Sequence, residues 1–134
     1  MHPLFVKANK ISAEVIAAAL EVHRLKGSGL MESIYEKCLI RELELRSIPV
    51  RQQVPVQIEY KGVIFNEVLK IDLLVDQCLI VELKAAEYVL PVHKAQLMSY
   101  MKLLDIPLGL LFNFHELLLK NGMHRMILSG ADKP

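Results

Sequence analysis

The stretch LKIDLLVDQCLIVELKA, residues 69–85, constrains the fold of this chain more than any other segment. Two runs rich in Leu, Ile and Val flank a short polar segment, which is typical of two consecutive buried strands joined by a tight turn. Charged residues are rare inside buried strands, yet Asp72, Glu82 and Lys84 lie within these runs. The two strands must therefore place three charges beside a hydrophobic core.

The length of the turn decides which residues of the two strands oppose one another. With a two-residue loop at Asp76 and Gln77, Asp72 opposes Val81 and both faces mix charges with aliphatic side chains. A three-residue loop at 76–78 instead places Asp72 opposite Glu82. One face then carries Leu69, Ile71, Leu73, Val75, Leu79, Val81 and Leu83, and the other carries Lys70, Asp72, Leu74, Ile80, Glu82 and Lys84. This sorting favours the second register, although a β-bulge could produce the same outcome.

The second register forces two carboxylates together, because opposed residues have Cβ atoms about 4.5 to 5.5 Å apart. Lys84 on the same face supplies one compensating charge, and a divalent cation would supply two more. Carboxylates, waters and a phosphate oxygen form the ligand set that Mg²⁺ prefers. The pattern therefore predicts phosphodiester hydrolysis at a Mg²⁺ site. Asp72 and Glu82 would be the ligands, and Lys84 would orient the attacking water or stabilise charge on the phosphate.

The alternative is a structural cluster of Asp72, Glu82 and Lys84 on a solvated sheet face, with an ion pair between the lysine and one acid. Leu74 and Ile80 on the same face argue against this interpretation, because they predict that the face is partly covered. Burying two acids beside one lysine without a ligand is costly.

The remaining segments predict helices around a sheet. The predicted helices cover residues 12–26, 30–46 and 91–104. Ser12 is the expected N-cap of the first helix, Gly27 ends it, and Pro91 suits the first turn of the third. From about residue 50, alternating apolar and polar residues predict a three-stranded meander, and 107–114 predicts a buried strand followed by an Asn-Gly turn and a hairpin partner. The predicted order is ααβββαββ, in the α/β (α+β) class.

Composition limits the classes of function. The 134 residues are 53% hydrophobic and 23% charged, so we expect one domain over 1–134 with its core at about 10–128 and frayed tails at 1–9 and 129–134. Lys and Arg total 16 against 15 Asp and Glu, which predicts no global basic field. No apolar run is long enough to cross a membrane and no secretory signal is evident, so we expect a cytoplasmic protein. Cys38 and Cys78 form no metal-ligand motif, and we expect buried, reduced thiols.

Asp72 and, ten positions later, the tripeptide ELK at 82–84 match the D...(D/E)xK pattern of the PD-(D/E)XK nuclease superfamily. Upstream, GLMESIY at 29–35 resembles the signature of the bacterial GxxExxY proteins, a branch of that superfamily. The segment HKAQLMSYMKLLDIPLGLLFNF extends the resemblance downstream, so that it covers residues 10–128 in all.

The resemblance implies a central mixed sheet flanked by helices and a nuclease that depends on Mg²⁺ or Mn²⁺. It implies that Asp72 and Glu82 are metal ligands, that Lys84 is the catalytic lysine and that Glu32 is an additional acid delivered by the second helix. Relatives tend to have Arg-x-Asp at the first acidic strand. This chain has Lys70 instead, which keeps the positive charge but loses the bidentate geometry of arginine.

Other residues are candidates for substrate binding. His93, Gln96 and Tyr100 recur at helical spacing on the third predicted helix, so they form a polar stripe that could contact phosphates or a base, or could mark the boundary between core and solvent. Lys70 belongs to a local set of basic residues that could meet a DNA or RNA backbone without reading its sequence. Tyr35 is expected to pack or form hydrogen bonds rather than react.

Two further hypotheses stand beside the nuclease. The first is a noncatalytic module that retains the nuclease fold to hold nucleic acid or a protein partner. The second is a subunit of a symmetric homo-oligomer, with exposed apolar residues of LGLLFNF (108–114) or ELLLK (116–120) at its interface.

Overall fold

The computed structural model describes residues 1–134 and has the predicted element order ααβββαββ. The helices are α1 (Phe5–Lys26), α2 (Glu32–Leu45) and α3 (Pro91–Leu104). The strands are β1 (Val50–Tyr60), β2 (Val63–Val75), β3 (Leu79–Lys84), β4 (Leu108–Asn113) and β5 (Met123–Ile127), with a short 3₁₀ helix at Leu119–Gly122. The predicted fold class, a mixed sheet flanked by helices, is confirmed.

The five strands form one sheet in the order β1-β2-β3-β4-β5. Neighbouring strands are antiparallel except β3 and β4, which are parallel. A parallel pair needs a crossover connection, and α3 provides it. A Cβ at Gly109 of β4 would lie 2.8 Å from the Met101 sulfur and 2.9 Å from a Leu97 methyl carbon, so the glycine allows α3 to pack closely on the sheet.

Helix α1 begins at Phe5, well before the predicted start, and the expectation of a frayed N-terminal tail was wrong. Phe5 and Ala8 are buried and extend the apolar stripe of the helix towards the N-terminus, so tertiary packing sets the boundary. Ser12 is not an N-cap. It lies buried inside the helix, where its hydroxyl donates to the Asn9 carbonyl at 2.7 Å. The end of the chain is also held, because Ala131 is buried and its carbonyl accepts from the His2 N–H.

Two hydrophobic cores lie on opposite faces of the sheet. The first core, under α1 and α2, contains 20 buried residues, and the second core, under α3, contains 10. Strand β3 contributes to both, because Val81 belongs to the first core and Ile80 to the second.

The β2–β3 hairpin has the register that the sorting argument favoured. Leu73 pairs with Val81 and Val75 with Leu79, which leaves a three-residue turn at 76–78. The sorting of side chains is confirmed for five members of the apolar face, Leu73, Val75, Leu79, Val81 and Leu83.

The predicted face was wrong for the two residues that precede Asp72 on that side. Ile71 belongs to the second core, and Leu69 is exposed. Gln53 of β1 lies between the pairs Gln52–Leu73 and Val54–Ile71, and its φ is 48°. Because Gln53 has a left-handed backbone conformation, it interrupts the regular alternation of side chains between the two faces of the sheet. The side chains of β2 that precede Asp72 therefore do not continue the alternation seen from Leu73 to Val75.

Beyond that point β1 and β2 continue as an exposed ribbon. All residues of 59–70 are exposed, including Lys70. Pro55 interrupts the free edge of β1, which limits pairing along that edge.

The interface predicted through LGLLFNF was wrong, because residues 108–114 are entirely buried. In ELLLK, Leu117 and Leu118 are exposed and Leu119 is buried. Both cysteines are free thiols, but only Cys78 is buried, and Cys38 is half-buried. No helix combines the length and the apolar character that crossing a membrane requires.

Candidate active site

Asp72 and Glu82 lie where the β2–β3 ladder ends. The last backbone pair is Leu73–Val81, and the two acids are the next residues of their strands. The Asp72 N–H donates to Glu82 Oε1 at 3.1 Å, and the Leu83 N–H donates to Asp72 Oδ2 at 2.8 Å. These crossed hydrogen bonds hold the two carboxylates side by side at the fork between the strands.

Glu82 is only 6% exposed and is the more perturbed acid of the pair. Burial, followed by the negative charge of Asp72, raises the pKa of Glu82 to about 9. The ammonium of Lys84 acts in the opposite direction, but its effect is smaller. Without a further cation, the acid pair therefore holds a proton at neutral pH.

The two carboxylates retain oxygens that a ligand can use. Asp72 Oδ1 and Glu82 Oε2 accept no hydrogen bond from an N–H group of the protein. Every side-chain polar atom that is fully shielded from solvent has a partner, so these two oxygens are accessible. Oxygen donors of this kind fit a hard divalent cation.

No group of three or more His, Cys, Asp or Glu side chains is arranged to hold a metal ion. The two strand carboxylates would thus supply the protein ligands, and water and substrate would complete the coordination. Mg²⁺ commonly binds proteins in this manner, through one or two carboxylates.

Lys84 follows Glu82 on the same side of β3 and is half-buried. Its positive charge lowers the pKa of both Glu32 and Glu82, so its ammonium lies near enough to act on both acids. Lys84 is not among the ion pairs of the structure, so the purely structural ion pair considered above is not formed.

Helix α2 brings two acids towards the fork. Burial raises the pKa of Glu32, which also senses the charges of Lys84 and Asp72. Glu36, one turn later, has its pKa raised by burial and accepts a hydrogen bond from Gln53 Nε2 at 2.9 Å. Glu36 was not among the predicted site residues. Its spacing of four residues from Glu32, on one helix face, was the available signal.

Tyr35 fixes the start of α2. Its hydroxyl donates to the Gly27 carbonyl at 2.6 Å and accepts from the Leu30 N–H at 3.1 Å. Its ring stacks on Phe114 with centroids 4.6 Å apart. The expectation that Tyr35 packs and forms hydrogen bonds is confirmed, and these contacts anchor the helix that carries Glu32.

A family model described as the PD-(D/E)XK nuclease superfamily matches residues 9–126, most of the chain. The chain belongs to the PD-(D/E)XK nuclease superfamily. No curated protein and no solved structure matches it. Membership of the superfamily indicates a nuclease-like domain that interacts with nucleic acid.

Among the predicted substrate-binding residues of this superfamily member, the structure brings Tyr100 to the acid pair. Tyr100 is buried, and its pKa is raised by burial and then by the charges of Glu82 and Asp72. Its hydroxyl makes no hydrogen bond within the protein and is not fully shielded, so it can meet a ligand.

The other members of the α3 stripe lie differently. His93 Nδ1 accepts from the Leu90 N–H at 3.0 Å and so caps the start of α3. Gln96 is exposed. Lys70 lies on the exposed ribbon, two residues before Asp72. The predicted set therefore divides into a tyrosine at the acid pair, a capping histidine and two side chains on the surface.

Proposed function

We propose that this chain hydrolyses phosphodiester bonds of DNA or RNA in a reaction that depends on Mg²⁺ or Mn²⁺, and that it belongs to the GxxExxY branch of the superfamily. Asp72 and Glu82 would hold the ion, Lys84 would be the catalytic lysine and Glu32 would assist. The proposal depends chiefly on the two carboxylates at the fork of β2 and β3, each of which accepts a backbone N–H from the other strand and keeps an oxygen that no N–H group of the protein bonds.

When bound, the ion would supply Lewis acidity towards a phosphate oxygen and a water molecule. Lys84 would donate hydrogen bonds to a phosphate oxygen on which negative charge develops. Glu32 lies near enough to Lys84 and Asp72 for their charges to act on its pKa, and this raised pKa suits it to exchange a proton with a nearby water.

Nucleic-acid binding would use few charged contacts. The formal net charge is only +1, so binding would be weak, sensitive to salt and independent of base sequence. Lys70 would contact phosphates on the ribbon, while Tyr100 would contact the substrate beside the acids. His93 and Gln96, at the start of α3, would act further out. Such a protein would function in the cytoplasm.

The test is cleavage of labelled single- and double-stranded DNA and RNA with Mg²⁺, Mn²⁺ or chelator. The variants are Lys84→Ala and Asp72→Asn, with Lys7→Ala as the control because Lys7 pairs with Asp76 at the opposite end of the hairpin. We expect metal-dependent cleavage by the wild type and Lys7→Ala only. Cleavage in chelator, or equal cleavage by Lys84→Ala and wild type, would refute the mechanism.

The second candidate function is a noncatalytic module that binds nucleic acid or a protein partner. One observation favours it. Backbone N–H groups bond to both carboxylates, and the raised pKa of Glu82 allows the two acids to share a proton, so the pair can remain in place without a metal ion. Calorimetric titration with Mg²⁺ and Mn²⁺ separates the candidates. Uptake of an ion by the wild type and not by Glu82→Gln supports the nuclease, and no uptake by either supports the module.

A further inference from the structure

Asn113 is the last residue of β4, and its side-chain amide makes the pair of hydrogen bonds that a backbone peptide group of a sheet would make. It is 1% exposed and pairs with Lys84 in the parallel β3–β4 register. Its Nδ2 donates to the Ala86 carbonyl at 2.8 Å, and its Oδ1 accepts from the Ala86 N–H at 3.1 Å. One amide thus binds both backbone groups of a residue that lies just beyond the end of β3.

The backbone around Asn113 holds the same segment. The Phe114 N–H donates to the Lys84 carbonyl at 2.9 Å, so Lys84 and Ala86 are both tied to the end of β4. Asn113 Oδ1 also accepts from the His115 N–H at 3.2 Å, which turns the chain away from the sheet. On the other side, a Cβ at Gly122 would lie 2.5 Å from the Asn113 carbonyl oxygen, so the 3₁₀ helix packs directly against this residue.

These contacts matter because the end of β3 has only one neighbouring strand. Its ladder with β2 stops at Leu73–Val81, whereas its ladder with β4 continues to Lys84. A lysine side chain has four rotatable bonds, so its ammonium can be held in place only if its backbone is fixed. We propose that Asn113 is a positioning residue for Lys84, acting through the backbone of 84–86. This role rests on the proposed catalytic use of Lys84.

The positional constraint can be measured without activity. Each protein is treated with a limiting amount of an amine-acetylating reagent, and peptide mass spectrometry gives the rate at Lys84 relative to Lys70. The variants are Asn113→Ala and the milder Asn113→Ser, whose hydroxyl can still accept from His115 but cannot span both groups of Ala86. The control is Ser12→Ala, which removes the hydroxyl of a 1% exposed side chain that also bonds to backbone.

We expect the relative labelling of Lys84 to rise several-fold in Asn113→Ala, less in Asn113→Ser and not at all in Ser12→Ala. In the cleavage assay, Asn113→Ala should lower kcat by about 10- to 100-fold at unchanged KM, because misplacing a catalytic group by about 1 Å has an effect of that size. In the Lys84→Ala background the same substitution should cause no further loss, since its effect passes through Lys84.

Unchanged labelling of Lys84 in both variants would overturn the proposal. So would wild-type cleavage by Asn113→Ala, or an equal loss of rate in the Lys84→Ala background. If the wild type cleaves no substrate while labelling responds as expected, the nuclease function fails, and the constraint on the backbone of Lys84 stands.

Discussion

The two faces of strand β3 differ in what they contact. On one face, Leu79, Val81 and Leu83 are completely buried in the first core. On the other face, Ile80 is buried in the second core, and the next alternate residues are Glu82 and Lys84. Six consecutive residues thus serve the larger core on one side and the candidate active site on the other.

This difference follows from the sizes of the two cores. The first core has 20 buried residues and lies under two helices, α1 and α2. The second core has 10 buried residues, because α3 is the only helix on that face of the sheet. Buried apolar area is the main favourable contribution to folding, so most of it comes from the α1/α2 side. The α3 side can therefore tolerate charges where its core ends. Substitutions on the two faces should separate stability from chemistry.

The largest expected effect is on the cleavage rate of variants on the polar face. Lys84→Ala and Glu82→Gln should each lower kcat/KM by about 100- to 10,000-fold, the size typical of losing an acid–base or charge-stabilising group. Both proteins should remain folded, since the apolar face is untouched. Steady-state kinetics with Mg²⁺ and circular dichroism check this together. If a variant lost activity only because it unfolded, the claim that the polar face serves chemistry and the apolar face serves stability would be contradicted.

Leu79→Ala tests the apolar face. Leu79 is completely buried in the first core, at the end of β3 that is remote from Lys84. We expect the free energy of unfolding to fall by about 2 to 5 kcal/mol. Denaturant titration measures the loss, and the cleavage rate per folded molecule should equal that of the wild type. Val68→Ala on the exposed ribbon is the control, with an expected change within about 0.5 kcal/mol.

The pH dependence of stability should follow Glu82. Its pKa is raised from 4.5 to about 9 by burial and by Asp72, so between these values the folded chain retains a proton that the unfolded chain has released. In chelator, the free energy of unfolding should fall as pH rises through this window, by up to about 1.4 kcal/mol per pH unit. Glu82→Gln should remove this slope. A steep slope that persists in Glu82→Gln would assign it to other groups.

The fold was predictable where short-range patterns decide it. The β2–β3 register follows from alternation and turn length within 17 residues, and Pro91 fixes the start of α3. The start of α1 was missed, because it depends on the burial of Phe5 and on the packing of Ala8 in the first core, which brings together distant parts of the chain. The change of face at Ile71 depends on the positive φ of Gln53 in another strand, which no pattern in β2 encodes.

The candidate site divides in the same way. The acid pair follows from the register of two adjacent strands, so local reasoning could place it. The hydrogen bond from Gln53 to Glu36 joins residues 17 apart, and the Asn113 amide contacts Ala86 from 27 residues away. Such contacts depend on how the helices and strands pack, and neither composition nor periodicity specifies them.

The smallest expected effect compares one tyrosine from each side of the sheet. Tyr100 of α3 lies in the second core with a hydroxyl that bonds to nothing in the protein, whereas the Tyr35 hydroxyl, on the α2 side, makes two hydrogen bonds. Tyr100→Phe should leave the free energy of unfolding within about 0.5 kcal/mol of the wild type. If the hydroxyl contacts substrate, KM should rise about 3- to 10-fold at constant kcat, the value of one hydrogen bond.

Tyr35→Phe is the matched control for this comparison. It removes the two hydrogen bonds of the Tyr35 hydroxyl, each worth about 0.5 to 1.5 kcal/mol, so it should cost about 1 to 3 kcal/mol of stability while KM for the folded protein stays the same. Denaturant titration and initial rates on both variants supply the four values. The reverse result, with Tyr100→Phe less stable and KM unmoved, would make Tyr100 a packing residue. In that case the candidate substrate-binding surface would include Glu82 and Lys84 of β3 but not Tyr100, because the α3 hydroxyl would contribute nothing to substrate binding.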